Sequence, residues 1–297
     1  MTARLLAATV FALAACVPPA SQQQAAAPHY LVGAPYRLGP VWRYPREQFD
    51  YDATGLAMVD PRTTGLTADG EAIDPQAMAA AHPTLQLPAI ARVTELDTGY
   101  QVLVRINDRG PANPGRIIAL SPRAMALLHA PDPSAARVRV EVMQAESLRL
   151  AGELGGAESP HLELAVVPVG DVTKQALPPP AGIPAAPARD LPTAPAPHSS
   201  SAATPPVPLR LPETVTRVPP HPGSIYVEIA SFGRAEYAAL LQQRLAALGA
   251  EVTLDYDAPR DRDYRVRIGP LAGGTGADAM LARVIAAGFG DARIVAQ

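Results

Sequence analysis

Short stretches of alternating apolar and polar residues recur between residues 50 and 145 of the chain. This alternation, with β-branched residues prominent, is the pattern of half-buried β-strands. It predicts strands over residues 51–59, 90–96, 100–106, 116–120 and 137–143. Many short strands of this kind favour a closed or nearly closed barrel.

Two short helices are predicted between these strands. One is expected over residues 76–81, with Asp74 as its N-cap and Pro75 as its first residue. It must end where the next proline follows, because the residue before a proline disfavours helical geometry. The other runs from Ser121 to about residue 128.

The last 75 residues show a second region of regular patterning. Strands are predicted over 225–229, 252–256, 264–268 and 292–295. Helical spacing places Tyr237, Leu240, Leu241, Leu245 and Leu248 on one face of a first helix, and groups Ala277, Met280, Leu281 and Val284 in a second. Gly249 and Gly288 end the two helices. The order βαββαβ predicts a small antiparallel sheet backed by two helices.

The two patterned regions are separated by a stretch with a different composition. Residues 168–222 contain sixteen prolines and no Phe, Trp or Tyr. Such a segment cannot bury enough apolar surface to offset the entropy of ordering, so a disordered, partly polyproline linker is predicted over 146–222.

The first residues have the pattern of a lipoprotein signal peptide, predicted over 1–15. An apolar run follows a basic start, and it is too short to span a bilayer. Leu13-Ala14-Ala15-Cys16 matches a lipobox, and Cys16 is the only cysteine of the chain, which excludes an intramolecular disulfide. We therefore predict that Cys16 is acylated and anchors the chain stably. Residues 16–50 form a tether and an arm with scattered aromatics, and either contact with ligand or simple packing suits that arm.

Composition narrows the possible functions. A net charge of -3 suggests neither nucleic acid nor an anionic membrane surface as a partner. No His, Cys or Glu cluster has the spacing of metal ligands, and no glycine-rich phosphate loop is present. The prediction is a protein without metal or cofactor.

Charged and amide side chains crowd a turn between two apolar strands at residues 107–111, with the sequence NDRGP. One interpretation is a self-capped turn, in which Asn107 and Asp108 bond nearby backbone N–H groups. The other is a functional site, because binding and catalytic residues collect on such turns.

Four motifs resemble the double-psi β-barrel domain of the rare lipoprotein A (RlpA) family, in matching order and spacing. They are TADGEAID, AAAHPTL, RINDRGP and GRII followed by LS, and the resemblance covers Tyr51 to about Met143. It implies lytic transglycosylation of peptidoglycan glycan strands stripped of their peptides. In that reaction a general acid protonates the leaving oxygen and the muramic sugar's own hydroxyl closes a ring.

The resemblance also implies the site residues. Glu71, Asp74 and His82 occupy family site positions, with Asp108, Arg109 and Gly110 shaping the groove. Each has a structural alternative: Glu71 as a solvated turn residue, Asp74 as a plain N-cap, His82 as a histidine satisfied by local carbonyls. Arg109 can instead pair with Asp108 or hold a backbone carbonyl.

One departure from the family pattern bears on activity. The resemblance implies a catalytic aspartate where this chain has Ala119, and alanine transfers no proton. Either another carboxylate, Asp108 or Asp74, carries the proton, or the barrel binds glycan without cutting it.

The terminal region resembles the SPOR domain, through IYVEIASF, the helix after it and YRVRIGPL. The resemblance implies binding of peptide-free septal glycan on one sheet face, with Glu228, Ser231 and Arg265 contacting sugar and Phe232 beside them. Alternation of apolar and polar residues places Glu228 and Arg265 on an exposed polar face. A merely solvated face is the alternative.

Together these features predict a multi-domain protein. A mainly-β double-psi β-barrel over 51–145 is joined by the linker to an α+β SPOR domain over 223–297. The expected partners are denuded glycan strands, outer-membrane lipid and divisome proteins. The expected location is the periplasmic face of the outer membrane, enriched at the division septum. The alternative is a non-catalytic protein that tethers the outer membrane to septal glycan.

Overall fold

A computed structural model describes residues 26–155, 210–258 and 261–297. The signal peptide, Cys16 and most of the predicted linker lie outside the described residues. Within the described ranges, no helix combines the length and apolar character needed to cross a membrane.

The first module is a closed barrel of six strands. They are β3 (Asp52–Val59), β4 (Ala79–Ala81), β5 (Ala89–Glu95), β6 (Tyr100–Asp108), β7 (Ile118–Leu120) and β8 (Ala136–Val142). Their order around the barrel is β4-β7-β3-β8-β5-β6, and parallel pairing of β4 with β6 closes it. The predicted barrel is confirmed.

Apolar residues that alternate along the strands fill the barrel interior. Val102, Val104 and Ile106 of β6 are buried and share a core with Val138 and Val140 of β8. The helix predicted from Ser121 is α1 (Pro122–Leu128), and the Ser121 side chain caps it by accepting from the backbone N–H of Ala124.

The helix predicted over 76–81 is wrong. Residues 79–81 form strand β4, because their backbone groups pair with β6 on one side and β7 on the other. A run of alanines has high helix propensity, but tertiary pairing overrides such a local preference. Asp74 makes an Asx turn to the backbone N–H of Gln76 and caps no helix.

The aromatic arm packs against the barrel. Tyr30 is buried, and Leu31 forms a bridge with Leu87. A two-stranded hairpin follows, made of β1 (Tyr36–Leu38) and β2 (Val41–Arg43). The first part of the arm therefore packs against the barrel, which is one of the two roles stated for it.

Two ordered elements lie inside the residues predicted as linker. Helix α2 (Gln144–Leu154) packs on β5, where the buried Ser147 hydroxyl accepts from the backbone N–H of Ile90. Strand β9 (Val215–Arg217) pairs with the outer edge of β6. Both correct the predicted boundaries, since this backbone gains pairing partners that composition does not show.

The second module, residues 223–297, has the predicted βαββαβ order, which is confirmed. Its elements are β10 (Ile225–Phe232), α3 (Ala235–Arg244), β11 (Glu251–Ala258), β12 (Asp261–Leu271), α4 (Gly273–Ala286) and β13 (Arg293–Ala296), with strand order β11-β12-β10-β13. The apolar face predicted for the first helix is partly wrong, because Tyr237 and Leu240 are exposed. Ala238 and Leu245 are the residues of this region that are buried in the module's core.

The two modules are packed against each other. Leu56 of β3 is fully buried within the apolar core of the second module. Beside it, the Arg116 guanidinium donates to both carboxylate oxygens of Asp278, at 2.6 and 2.9 Å. Arg137 donates across the junction to the carbonyl of Gly223 at 2.7 Å. An apolar contact and charge-assisted hydrogen bonds thus fix the modules' arrangement.

Candidate functional site

Three of the predicted site residues meet in one small pocket at an end of the barrel. Glu71, Asp74 and Asp108 line a cavity of about 60 Å³ together with a fourth carboxylate, Asp60, and three arginines, Arg62, Arg105 and Arg210. Four carboxylates and three guanidiniums thus border one small volume.

A β-bulge aims the motif residues into this pocket. Ala80 of β4 pairs with Ile106, but the next residue, Ala81, pairs with Asp108. Asn107 is therefore an extra residue in β6, and both Asn107 and Asp108 line the pocket. Regular alternation would have sent one of them to the opposite face.

Glu71 is held by two partners. The Arg105 Nε donates to Glu71 Oε1 at 2.6 Å, and Asn107 Nδ2 donates to Oε2 at 2.7 Å. Arg105 is 1% exposed, so its charge needs a counter-charge inside the protein. Glu71 is therefore a structural partner of Arg105 as well as a pocket residue, and it is not a solvated turn residue.

A buried acid lies beside Glu71. Burial, with the nearby charge of Glu71 as the second cause, raises the pKa of Asp69 to about 7. The Thr67 hydroxyl donates to Asp69 Oδ1 at 2.6 Å, while Oδ2 is buried without a hydrogen-bond partner in the described structure. Asp69 is closed to solvent, so it is a neighbour of the pocket and not part of its wall.

Asp108 belongs to a chain of charges. Its Oδ2 lies 2.6 Å from Arg62 Nη1, and Arg62 Nη2 lies 2.7 Å from Asp60 Oδ2. The backbone N–H of Ala68 donates to Asp108 Oδ1 at 2.9 Å. Arg62 thus links two carboxylates. Of the two alternatives stated for Arg109, the bond to backbone carbonyls is the one observed, because Asp108 forms its ion pair with Arg62.

Asp74 is the most accessible carboxylate of the predicted set. Its side chain is 40% exposed and pairs with Arg210 at 3.0 Å. Arg210 comes from the segment that leads into β9, so this returning segment contributes to the pocket wall.

His82 faces away from these carboxylates. Its Nδ1 accepts from the backbone N–H groups of Thr84 and Leu85, at 3.2 and 3.1 Å. Burial first, then the charges of Arg109 and Arg43, lower the pKa of His82 to about 3. The imidazole is therefore neutral near pH 7, with its proton on Nε2, and it cannot serve as a charged acid there. The structural alternative stated for His82, a histidine bonded to nearby backbone groups, is therefore the one observed. The backbone partners are N–H donors and not the carbonyls that were expected.

Arg109 and Gly110 line a neighbouring cavity of about 350 Å³. The Arg109 guanidinium donates to the carbonyls of Leu85 and Val32, so it joins the arm to the barrel. Ala119 lines the same cavity, which shares Asp60 and Arg62 with the carboxylate pocket. The position where the family resemblance implies an aspartate is thus next to another carboxylate, Asp60.

The predicted sugar-contacting residues of the second module are divided. Glu228 is 7% exposed, and its Oε1 lies 2.6 Å from Arg293 while Oε2 lies 3.7 Å from Arg265. The exposed position predicted for Glu228 is therefore wrong, because its carboxylate is buried in ion pairs with these two arginines. Ser231 is exposed, and Phe232 packs on the Tyr237 ring with centroids 6.4 Å apart.

Several pocket residues were not predicted. Arg105 is one of them, and its charge within the apolar strand of the quoted RINDRGP motif is a usable signal. Asn107 was named only as part of the polar turn at residues 107–111. Asp60 and Arg62 follow β3 without any such signal. Among the described residues, no group of three or more His, Cys, Asp or Glu side chains could hold a metal ion. The pocket can therefore offer carboxylates for proton transfer and charge stabilisation, and arginines for binding.

Comparison with known proteins assigns both modules to families. Residues 54–142 match the family model described as lytic transglycolase, and residues 222–294 match the SPOR domain model. The chain is 39% identical over 132 residues to the endolytic peptidoglycan transglycosylase RlpA of Yersinia pestis, an alignment that covers 37% of each protein.

Two further relatives carry the same name. The RlpA of Pseudomonas aeruginosa strain UCBPP-PA14 is 32% identical over 212 residues, covering 69% of this chain and 58% of that protein. The RlpA of Escherichia coli K12 is 39% identical over 104 residues, covering 34% of this chain and 29% of that protein. The chain thus spans between 29% and 58% of the length of these relatives.

The Glu71–Arg105 pair predicts a large effect on stability. Glu71→Gln leaves a buried guanidinium without its counter-charge, which should lower the free energy of unfolding by about 3–5 kcal/mol. Asp74→Asn is the matched control, because its partner Arg210 is exposed, and it should cost less than about 1 kcal/mol. Urea unfolding of both variants measures the difference, and equal losses would contradict the structural role given to Glu71.

The raised pKa of Asp69 predicts a pH dependence of stability. In the unfolded chain this carboxyl titrates near its ordinary pKa of 3.8, and in the folded protein near 7. The folded state therefore binds more protons than the unfolded state between these values, so stability falls as pH rises from about 4 to about 7. The slope from this one group is at most about 1.4 kcal/mol per pH unit.

Asp69→Asn removes this titration and isolates its effect. As pH rises through that window, the parent should lose stability relative to the variant. Above the window, the difference between their unfolding free energies should be constant. Thermal or urea unfolding at pH 4, 5, 6, 7 and 8 measures it. A difference independent of pH would show that Asp69 is not protonated in the folded protein.

Proposed function

Because the chain is an RlpA-family protein with a lytic transglycosylase domain and a SPOR domain, we propose that it cleaves peptidoglycan glycan strands. The proposed reaction is endolytic lytic transglycosylation of strands that have lost their stem peptides. One observation carries the proposal: Glu71, Asp74 and Asp108 converge on one pocket within the region matched by the lytic transglycolase model.

The proposed roles follow from the surroundings of each carboxyl group. Asp108, as a carboxylate beside Arg62, can stabilise the positive charge that develops on the sugar ring and accept a proton from the muramic hydroxyl. Asp74 has the accessible carboxyl group, so it is our candidate for protonating the leaving oxygen. Glu71 holds Arg105 in the pocket wall. A catalytic role for His82 is not part of the proposal, since its ring is neutral and faces another surface.

A second candidate function is glycan binding without cleavage, which would tether the cell envelope to the wall. Ala119 is the observation that favours it, because it lines the groove at a position where the family resemblance implies an acid. The ion pairs that hold Glu71 and Asp108 are also compatible with a binding role.

The second module is proposed to bring the chain to its substrate. The SPOR match supports binding of peptidoglycan glycan by this module, and we propose that denuded strands at the division septum are the target. Arg265 and Ser231 pair across β10 and β12 and present donors from the sheet. Phe232 borders them and offers an apolar surface to a sugar face.

The proposed location is the periplasmic face of the outer membrane, through lipid on Cys16. The lipobox Leu13-Ala14-Ala15-Cys16 supports this, and contact with divisome proteins at the septum is part of the same proposal. Cys16→Ser should abolish acylation and move the chain from the membrane fraction to the soluble periplasm. Metabolic labelling with a fatty-acid analogue measures it, and unchanged labelling would contradict the anchor.

The decisive test of activity uses the purified chain and amidase-treated, peptide-free glycan strands. Mass spectrometry of the products should show new anhydro-muramic ends. Asp108→Asn should lower their rate of formation at least about 100-fold, the scale expected for loss of a proton-transferring group. Asp132→Asn changes an exposed turn carboxylate far from the pocket and is the matched control, with activity unchanged.

The outcomes separate the two candidate functions. Product from the parent chain and from Asp132→Asn but not from Asp108→Asn supports the enzyme. Strands bound tightly by all three proteins, with no anhydro ends from any of them, would support the tethering function and overturn the catalytic one.

A further inference from the structure

A cleft of about 650 Å³ lies at the junction of the two modules. The barrel and arm contribute Arg43, Arg46, Asp50, His82 and Arg139 to its wall, and the second module contributes Glu228, Arg265, Asp291 and Arg293. The cleft and the carboxylate pocket have no lining residue in common. It is therefore separate from that pocket, is built by both modules together, and includes Arg265, one of the residues proposed above to contact sugar.

Contacts between the two modules hold the walls of the cleft in place. Leu56 is buried in the core of the second module, and Arg116, which itself lines the cleft, is bound to Asp278. Because these contacts fix the module arrangement, residues from both sides face each other across a preformed space. A preformed site loses less entropy when it binds a ligand than one that must assemble.

The charges of the cleft are only partly compensated. Arg139 pairs with Asp52, and Arg293 pairs with Glu228. In contrast, Arg43 and Arg46 form no ion pair with any described residue. Arg46 is exposed, while the Nε of Arg43 is buried without a hydrogen-bond partner in the described ranges.

Burial is the main reason that the pKa of Arg43 lies below its ordinary value, although the charge of Asp291 acts in the opposite direction. Arg43 as a whole is only partly buried and lines the cleft, so a carboxylate in the cleft can pair with its guanidinium group. Asp50 and Asp291 are the carboxylates of the cleft wall that also have no ion pair among the described residues. They can accept hydrogen bonds from hydroxyl groups.

This mixture of groups fits a sugar chain that carries carboxylates. In peptidoglycan the stem peptide is joined by an amide bond to the lactyl group of muramic acid. Removal of the peptide leaves a free carboxylate on that sugar, beside its hydroxyl and acetamido groups. A guanidinium binds a carboxylate through two parallel hydrogen bonds and cannot bind an amide in that way.

We propose that this cleft is a second glycan-binding site shared by both modules, in which Arg43 and Arg46 recognise the lactyl carboxylate of a peptide-free muramic residue. The inference rests on the proposed function and deepens it, because it gives a physical reason for selecting denuded strands. It also assigns a binding role to the second half of the arm, next to the part that only packs.

The test measures binding of the full chain to two probes. One is the amidase-treated strand, and the other is the same strand with its carboxylates chemically reduced to alcohols. The parent chain should bind the amidase-treated strand, whose carboxylates are intact, about tenfold more tightly than the reduced strand. This is the effect of losing one charge-assisted contact. Fluorescence anisotropy of end-labelled strands gives both dissociation constants. Equal affinity for the two strands would overturn the proposal without any variant.

Variants locate the effect. The double variant Arg43→Gln with Arg46→Gln should weaken binding of the amidase-treated strand about tenfold and leave binding of the reduced strand unchanged. Arg92→Gln removes one positive charge from a barrel arginine that pairs with Glu141 outside the cleft, against two in the double variant, and should change neither affinity. An equal loss with Arg92→Gln would overturn the proposal, since it would show a general charge effect.

Failure of this proposal and of the proposed function have different signatures. A parent chain that forms anhydro ends but binds both probes equally refutes only the cleft. A parent chain that neither binds the strands nor forms anhydro ends refutes both.

Discussion

One buried charge constrains the whole polar end of the barrel. The Arg105 guanidinium lies inside β6 with almost no access to water, and a charge in that position must be paired. Glu71 supplies the counter-charge, so the loop that carries Glu71 has to fold back onto β6. That loop buries Asp69 beside Glu71 and places Asp74 at the pocket edge. The carboxylates divide as a result: Glu71 is committed to structure, whereas Asp74 and Asp108 remain available at the surface of the pocket.

The fold could be predicted where the secondary structure of a segment is determined by its own residues. Alternation identified the barrel strands β3, β5, β6 and β8, and helical spacing identified α4, because these patterns follow directly from the geometry of each element. Local reasoning failed for the alanine run of β4, whose strand is imposed by two neighbours far away in sequence. It failed for β9 as well, since three residues inside a proline-rich segment become a strand only because the edge of β6 is open to them.

The site could be predicted in part for the same reason. The motifs named Glu71, Asp74 and Asp108, and the structure brings these three to one pocket, with Asp108 as the last residue of β6. They did not show that His82 faces another surface, because its direction depends on two backbone N–H groups of the following turn. They also did not show Arg62 as the link between Asp60 and Asp108. The contact between Arg62 and Asp108 is long-range and has no sequence pattern, and neither has the ion pair of Glu228 with Arg293.

The packing of the arm limits how far the barrel can lie from a lipid attached to Cys16. Residues from Ala27 onward are bonded to the barrel, first through the backbone of Gly70 and then through Leu31 and Arg109. If Cys16 carries the lipid, only about ten residues separate the anchor from the barrel wall. A chain of that length spans at most about 35 Å even when fully extended. The carboxylate pocket would then be confined to a shallow layer next to the membrane, and only glycan strands within that layer would be within reach.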